Sequence, residues 1–376
     1  MDETHVIKPN RKFVEEIIGR GGDSLKQCFQ CSTCTVMCPI APHDNPFPRK
    51  EMIWAQWGLK DRLMTDPDIW ICQRCEDCST NCPRDAKPGT VLAAIREKVI
   101  GEYAFPGFLA KAFSSPRYLP LILLIPVGLV VLWLWIWGDL HYPNTFSANG
   151  EIVLSDFIES VHGDYGLAIM FAFVFGVLAF GIRRFWKGLM TSEASHNRSG
   201  LTIRQSLILA VIQIFKHSNF KKCQSSKKVY YAHLSIFYGL LFLLAATGVT
   251  FLFHYAFGWH SPWGVFSPTK AFGIIGSALV MVGLSIAVYR RLADPNADKS
   301  SYGDWLLLWL IIFAVLTGLA TWLIRVTEWE AATYWAYLIH IVAFFELFIF
   351  APYSKGAHIF YRLTAMTWSN YTGRGL

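Results

Sequence analysis

Six apolar runs of about twenty residues, at approximately 119–138, 163–183, 232–255, 271–289, 305–325 and 334–354, constrain this chain more than anything else in it. Each is long enough to cross a hydrocarbon layer roughly 30 Å thick. In such a layer every backbone N–H and C=O must find a partner within the protein, so only helices and closed barrels span it. Continuous runs of this length, without alternation, are helices. With 53% hydrophobic and 16% charged residues over 376 positions, the chain is too apolar to be a water-soluble protein throughout. The excess is uneven. Up to about Lys111 the composition is ordinary, and after Arg117 it changes, so two domains are expected, at 1–111 and 112–376.

The connecting loops orient the spans. Arg183, Arg184, Lys187, Arg198, Arg204, Lys216, Lys221, Lys222, Lys227 and Lys228 lie between the second and third runs, and Arg290, Arg291 and Lys299 between the fourth and fifth. The stretch 139–161 holds Asp139, Glu151, Asp156 and Glu159 and no Lys or Arg. The positive-inside rule therefore places the basic loops, both termini and the first domain in the cytoplasm of a multi-pass inner-membrane protein. The net charge of +7 sits where topology and anionic lipid require it, and no nucleic-acid partner is needed. Residues 201–217, within a cytoplasmic segment near 185–230, have an apolar core too short to span and read as a helix in the interface. Trp133, Trp135, Trp137, Trp259, Trp263, Trp305 and Trp335 form an interfacial belt. Gly273, Gly276, Ser277 and Gly283 suggest close helix packing.

In the first domain, Cys28, Cys31, Cys34 and Cys38 precede Pro39, and Cys72, Cys75, Cys78 and Cys82 precede Pro83, repeating the pattern CxxCxxCxxxCP. Three thiolates two residues apart surround one cubane cluster, while the fourth, turned away at the proline, reaches the neighbouring one. The expected ligand sets are Cys28, Cys31, Cys34 and Cys82 for one 4Fe-4S cluster, and Cys72, Cys75, Cys78 and Cys38 for the other. Zinc knuckles use paired CxxC units without a third cysteine or the proline. Disulfides are disfavoured in the reducing compartment implied by the topology and by the charged, polar N-terminus. The ninth cysteine, Cys223, reads as a spectator thiol. Helices should connect the motifs, and in 89–104 Thr90 caps a stripe of Val91, Ala94, Ile95 and Val99.

Histidine placement links the two domains. His340 and His358 are eighteen residues apart; on one helix that is five turns and about 27 Å, with both imidazoles on one face. His233 and His254 on the antiparallel third span are about 31 Å apart. His233 is then expected to meet His358 at the cytoplasmic side, and His254 to approach His340 at the outer side, giving two bis-imidazole haem b sites in a helical bundle. His162, beside Asp164 at the outer side, is the alternative partner of His340. Arg325, Glu328, Glu330, His260 and Lys270 are candidates for contact with quinone or haem propionate, and Glu346, deep in the last span, for a proton relay or a structural hydrogen bond. No GxGxxG, CCG or CxxCH motif is present, so the chain reads as an electron conduit without a catalytic nucleophile.

The double CxxCxxCxxxCP domain resembles the iron–sulfur C subunit of heterodisulfide reductases. The membrane half, most clearly in "LIHIVAFFELFIFAPYSKGAHIF", is similar to the cytochrome b gamma subunit of respiratory nitrate reductases and the membrane subunit of heterodisulfide reductases. Joined in one chain, they resemble the C subunit of the quinone-interacting membrane-bound oxidoreductases (Qmo) of sulfate reducers. The resemblance implies an all-α protein, a small helical ferredoxin-type domain with two 4Fe-4S clusters followed by a six-helix transmembrane cytochrome b bundle. It further implies menaquinone as substrate, two flavin and iron–sulfur subunits as partners, and adenylylsulfate reductase as the protein with which electrons are exchanged. Nitrate reductase gamma subunits carry a second histidine three turns after the first on the third span, where this chain has Leu243. A redox sensor, which would need a signalling domain, and a non-catalytic anchor for soluble subunits are the competing readings, as is a heterodisulfide-reductase-type complex with another acceptor.

Overall fold

A computed structural model describes residues 8–139, 152–191, 199–223, 227–259, 261, 263–264, 266–294, 297 and 299–374. Arg198, Glu151 and His260, named above, lie outside them. The described residues are helical, with no strand among them. The N-terminal part is built from short helices around one longer one, α1 (Pro88–Tyr103). Val91, Ala94, Ile95 and Val99 are buried on α1 as the periodicity requires, but Thr90 is not its cap: the helix starts at Pro88 after Lys87, because proline at the first position costs no hydrogen bond there.

Six helices are long and apolar enough to cross a membrane. They are α2 (Leu119–Trp137), α3 (Ser160–Met190), α5 (Lys227–Phe257), α6 (Pro268–Ala293), α7 (Tyr302–Val326) and α8 (Glu330–Phe350), with α4 (Ile203–Lys216) between α3 and α5. α4 is too short to span, starts at a capping box on Thr202 and Gln205, and exposes Ile203, Leu207, Ile208, Ile212 and Phe215. Such an apolar face on a helix beside a membrane bundle suits the interface.

α5 and α6 pack closely because glycines let the backbones meet. A Cβ at Gly276 would lie 2.9 Å from the Gly239 carbonyl oxygen, and one at Gly283 2.6 Å from that of Ala232. Gly273, expected to take part, faces open space. α2, α3 and α8 form a second group, joined to the first where α7 packs on α8.

One expectation fails in a way that matters for the site. The last span does not run on to His358. α8 stops at Phe350, two short 3-10 turns follow at Ala351–Tyr353 and Lys355–Ala357, and α9 (His358–Thr372) begins at the histidine itself. Pro352 has no N–H with which to continue the α-helical bonding of α8, and Ser354, at φ −113° and ψ 177°, breaks the helical path. The five-turn register between His340 and His358 therefore does not exist. α9 instead packs against α4, α3 and the first part of the chain.

The two halves share one apolar core. Phe13, Ile17, Trp70, Ile95 and Tyr103 from the N-terminal part pack continuously with Phe185, Tyr361 and Trp368. Trp70 stacks on Tyr361 with ring centroids 4.8 Å apart. Gly181 and Gly188 on α3 allow this approach, since side chains there would collide with Tyr361 and Thr65.

Candidate redox centres

The two cysteine motifs fold alike. Gln30 and Ser32 have φ of 61° and 69°, and the equivalent Arg74 and Glu76 have 53° and 71°. Four non-glycine residues in the left-handed region are costly individually, and their repetition at matching positions shows that the loop path is what the two motifs share. A one-turn helix follows in each, Thr33–Val36 and Asp77–Thr80.

The sulfurs gather in two groups. Cys28 and Cys34 interact electrostatically with each other's group and with Cys82 of the second motif. Cys38 of the first motif interacts with Cys72 and Cys75, and Cys78 with Cys72, Cys75 and Cys38. Cys38, Cys72, Cys75 and Cys78 line one small cavity with Ile40 and Phe47. Cys34 and Cys78 bring the groups next to each other.

Burial pushes the Cys34 thiol up to about 11 and the Cys38 thiol up to about 12, each reinforced by neighbouring cysteines. Four sulfurs so crowded and desolvated lack the compensating positive charge that bound iron would supply. Donors already face them: the Arg74 amide to Cys72 Sγ at 3.4 Å, and the Ala86 amide to Cys82 Sγ at 3.3 Å. Cys31, by contrast, is exposed, with Thr33 lowering its pKa, and Phe29, Val36 and Met37 around it are exposed as well.

His233 at the start of α5 and His358 at the start of α9 meet. Their ring centroids are 6.3 Å apart with planes at 77°. Two metal–imidazole bonds of roughly 2 Å each, with the two half-rings, give a separation of this size. The Nδ1 of His358 is 2.6 Å from the Lys355 carbonyl, to which it donates, leaving Nε2 available. Burial pushes His358 down to about 4, so it stays neutral, the form that binds metal. His233 Nδ1 is buried without a hydrogen-bond partner.

His340 and His254 share a cavity of about 960 Å³ between the two helix groups, also lined by Thr247, Thr250, Arg325 and Lys270. Thr317 lies 3.1 Å from His340 Nδ1, and Gly318 leaves the space that the imidazole occupies. His162 is committed elsewhere. Its Nδ1 is 2.9 Å from Asp139, its ring stacks on Trp137 at 4.4 Å, and it does not line the cavity. Glu328 is exposed, and Glu346 is buried outside the cavity with Oε1 unpartnered.

Several residues here escaped sequence reasoning. Arg96 bonds to the carbonyls of Ile69 and Cys72, and Arg362 to that of Ile71 at 2.9 Å, so two half-buried cations stand near both the second cysteine group and His358. His217 stands 5.3 Å from the His233 ring. Cys223, expected to be a spectator, is not remote from the motifs: its sulfur lies within 4.8 Å of the Cys75 sulfur and of an Asp77 carboxylate oxygen. None has a motif; they are assembled by the packing of α4, α5 and α9 on the N-terminal part.

A family model described as citrate utilization protein B matches residues 115–373, and one described as a 4Fe-4S dicluster domain matches residues 24–86. The C subunit of an H(2):CoB-CoM heterodisulfide,ferredoxin reductase from Methanothermobacter marburgensis is 40% identical over 117 residues, 30% of this chain and 60% of that protein. A protein from Archaeoglobus profundus, described as like the C subunit of heterodisulfide reductase, is 35% identical over 115 residues, again 30% and 60%. Citrate utilization protein B of Escherichia coli is 29% identical over 231 residues, 56% of this chain and 57% of that protein. The chain thus spans about 60% of the length of the first two relatives. No solved structure matches it.

Proposed function

The chain belongs to the citrate utilization protein B family, with a 4Fe-4S dicluster domain ahead of the matched region, and from that premise we propose that it is the membrane electron-transfer subunit of a quinone-linked oxidoreductase. Its substrate is menaquinol and its partners are cytoplasmic flavin and iron–sulfur subunits, which serve adenylylsulfate reductase in sulfate respiration, as in the Qmo complexes. The observation that carries this reading is the meeting of His233 with His358 beside the second cysteine group, with Arg96 and Arg362 near both. Likeness to the C subunits of heterodisulfide reductases supports membership of a multi-subunit redox complex. A complex of that type with another acceptor is the second reading, favoured by the higher identity of the cysteine region.

The domains are 1–111 and 112–376, the first on the cytoplasmic side. Cys28, Cys31, Cys34 and Cys82 hold one cluster, and Cys72, Cys75, Cys78 and Cys38 the other. His233 and His358 hold the inner haem b. His340 holds the outer one, with His254 as its partner in the shared cavity; His162 is left to orient against Asp139. When bound, these groups supply the one-electron steps that divide the two electrons of a quinol.

The chain's own residues prepare each site. Lys355 and Thr317 fix the orientation of His358 and His340 through Nδ1. Arg325 and Lys270 place positive charge at one end of the outer cavity, suited to propionate or to a quinone oxygen. Exposed Phe29, Val36 and Met37 around Cys31 offer the first cluster to the soluble subunits. The test is an optical and redox spectrum of the complex. A reduced b-type band that is bleached by a quinone analogue, with acid-labile sulfide present, is expected; a colourless preparation, or a haem band indifferent to quinone, rejects the proposal.

A further inference from the structure

The segment between α4 and α5 touches both inner centres. At one end, the ring of His217 lies 5.3 Å and that of Phe220 5.6 Å from the His233 ring. At the other end, Cys223 Sγ lies within 4.8 Å of Cys75 Sγ and of an Asp77 carboxylate oxygen. Seven residues therefore join the imidazole pair to the second cysteine group. Cys72 and Cys223 also both act on the half-buried Arg362, which places the ninth cysteine inside the charged surroundings of that group.

We propose that Cys223 is a positioning residue for the second cluster: its S–H donates to the Cys75 sulfur and sets the potential at which that cluster accepts an electron. This rests on the ligand set proposed above. Two other acceptors compete for the S–H, the Asn219 carbonyl at 3.9 Å and the Asp77 carboxylate. The Asn219 carbonyl is a neutral acceptor, whereas a cluster thiolate carries charge, and hydrogen bonds to charged acceptors are about twice as strong as neutral ones. Reduction adds negative charge to the cluster, so a donor aimed at one of its sulfurs favours the reduced form and raises the potential. Four ligands already complete the cubane, so Cys223 is not needed to hold iron.

The experiment is an anaerobic redox titration by electron paramagnetic resonance of the full chain in its complex, comparing wild type, Cys223→Ser and Cys223→Ala. Iron and acid-labile sulfide are measured on each, and the second cluster is identified as the signal lost in Cys38→Ser. In Cys223→Ala, at the wild-type midpoint, the reduced-to-oxidised ratio of the second cluster should fall about tenfold, equivalent to roughly 59 mV for one electron. The first cluster should not move, and iron should stay constant. Cys223→Ser keeps an O–H donor and should recover most of the shift, which also covers the case in which the alanine variant does not assemble. An unchanged midpoint in a fully loaded Cys223→Ala protein overturns the proposal. So does loss of one cluster's iron in both variants, which would make Cys223 a ligand. If the wild type itself lacks two cluster signals, the ligand assignment has failed rather than the role of Cys223.

Discussion

Gly318→Ala is a small change that directly tests the proposed outer haem site at His340. Gly318 is on α7, facing α8, and a Cβ there would meet His340 Cε1 at 2.9 Å, Nε2 at 3.3 Å and Nδ1 at 3.4 Å. The first contact is 0.5 Å inside the 3.4 Å at which ordinary packing begins. The Thr317 contact at 3.1 Å leaves the imidazole little freedom to move in place, so it must rotate off its position or the helices must part. Overpacking of this kind costs about 1–3 kcal/mol. If that cost falls on the imidazole's approach to iron, outer haem affinity drops between roughly fivefold and about 150-fold, at tenfold per 1.4 kcal/mol. The assay is haem content and the reduced-minus-oxidised spectrum of the purified complex, with Gly248→Ala as control, because a Cβ at Gly248 meets nothing within 4 Å. Gly318→Ala should approach one haem per chain, and Gly248→Ala should keep two. Two haems with unchanged midpoints in Gly318→Ala would refute the place given to His340.

Two further outcomes follow from the same geometry. Cys82→Ser should abolish the same resonance signal as Cys31→Ser, and Cys38→Ser the same one as Cys75→Ser; loss that follows motif rather than spatial group would rule out crossed ligation. Glu102 at the end of α1 receives Lys98 at 2.6 Å and Lys60 at 3.0 Å. Burial acts to raise its carboxyl, but these bonds outweigh burial and hold it below the usual 4.5. The folded protein then binds fewer protons than the unfolded chain, so this contribution is complete above pH 4.5 and is lost as pH falls through the lowered value. Thermal unfolding in detergent should show that acid loss, and the pair Lys60→Met with Lys98→Met should flatten it; an identical acid limb in the double variant would discard the assignment.

The six spans, the helical class and the doubled cysteine motif are legible in the letters because each follows from local rules. A twenty-residue apolar run must satisfy its own backbone, and CxxCxxCxxxCP brings its thiolates together within one short loop. The letters also match His233 with His358, but the five-turn register between His340 and His358 is wrong, since Pro352 and Ser354 end α8 before His358 is reached. The pair meets because α9 folds back as a separate helix, a matter of packing. Likewise Arg96, Arg362, His217 and Cys223 carry no motif and lie far apart in sequence. Arg96 reaches the second cysteine group from α1 within the N-terminal part, and only the packing of α4 and α9 on that part brings the other three there, because non-local contacts are set by which apolar faces cover one another, and a pattern along one segment does not hold that information.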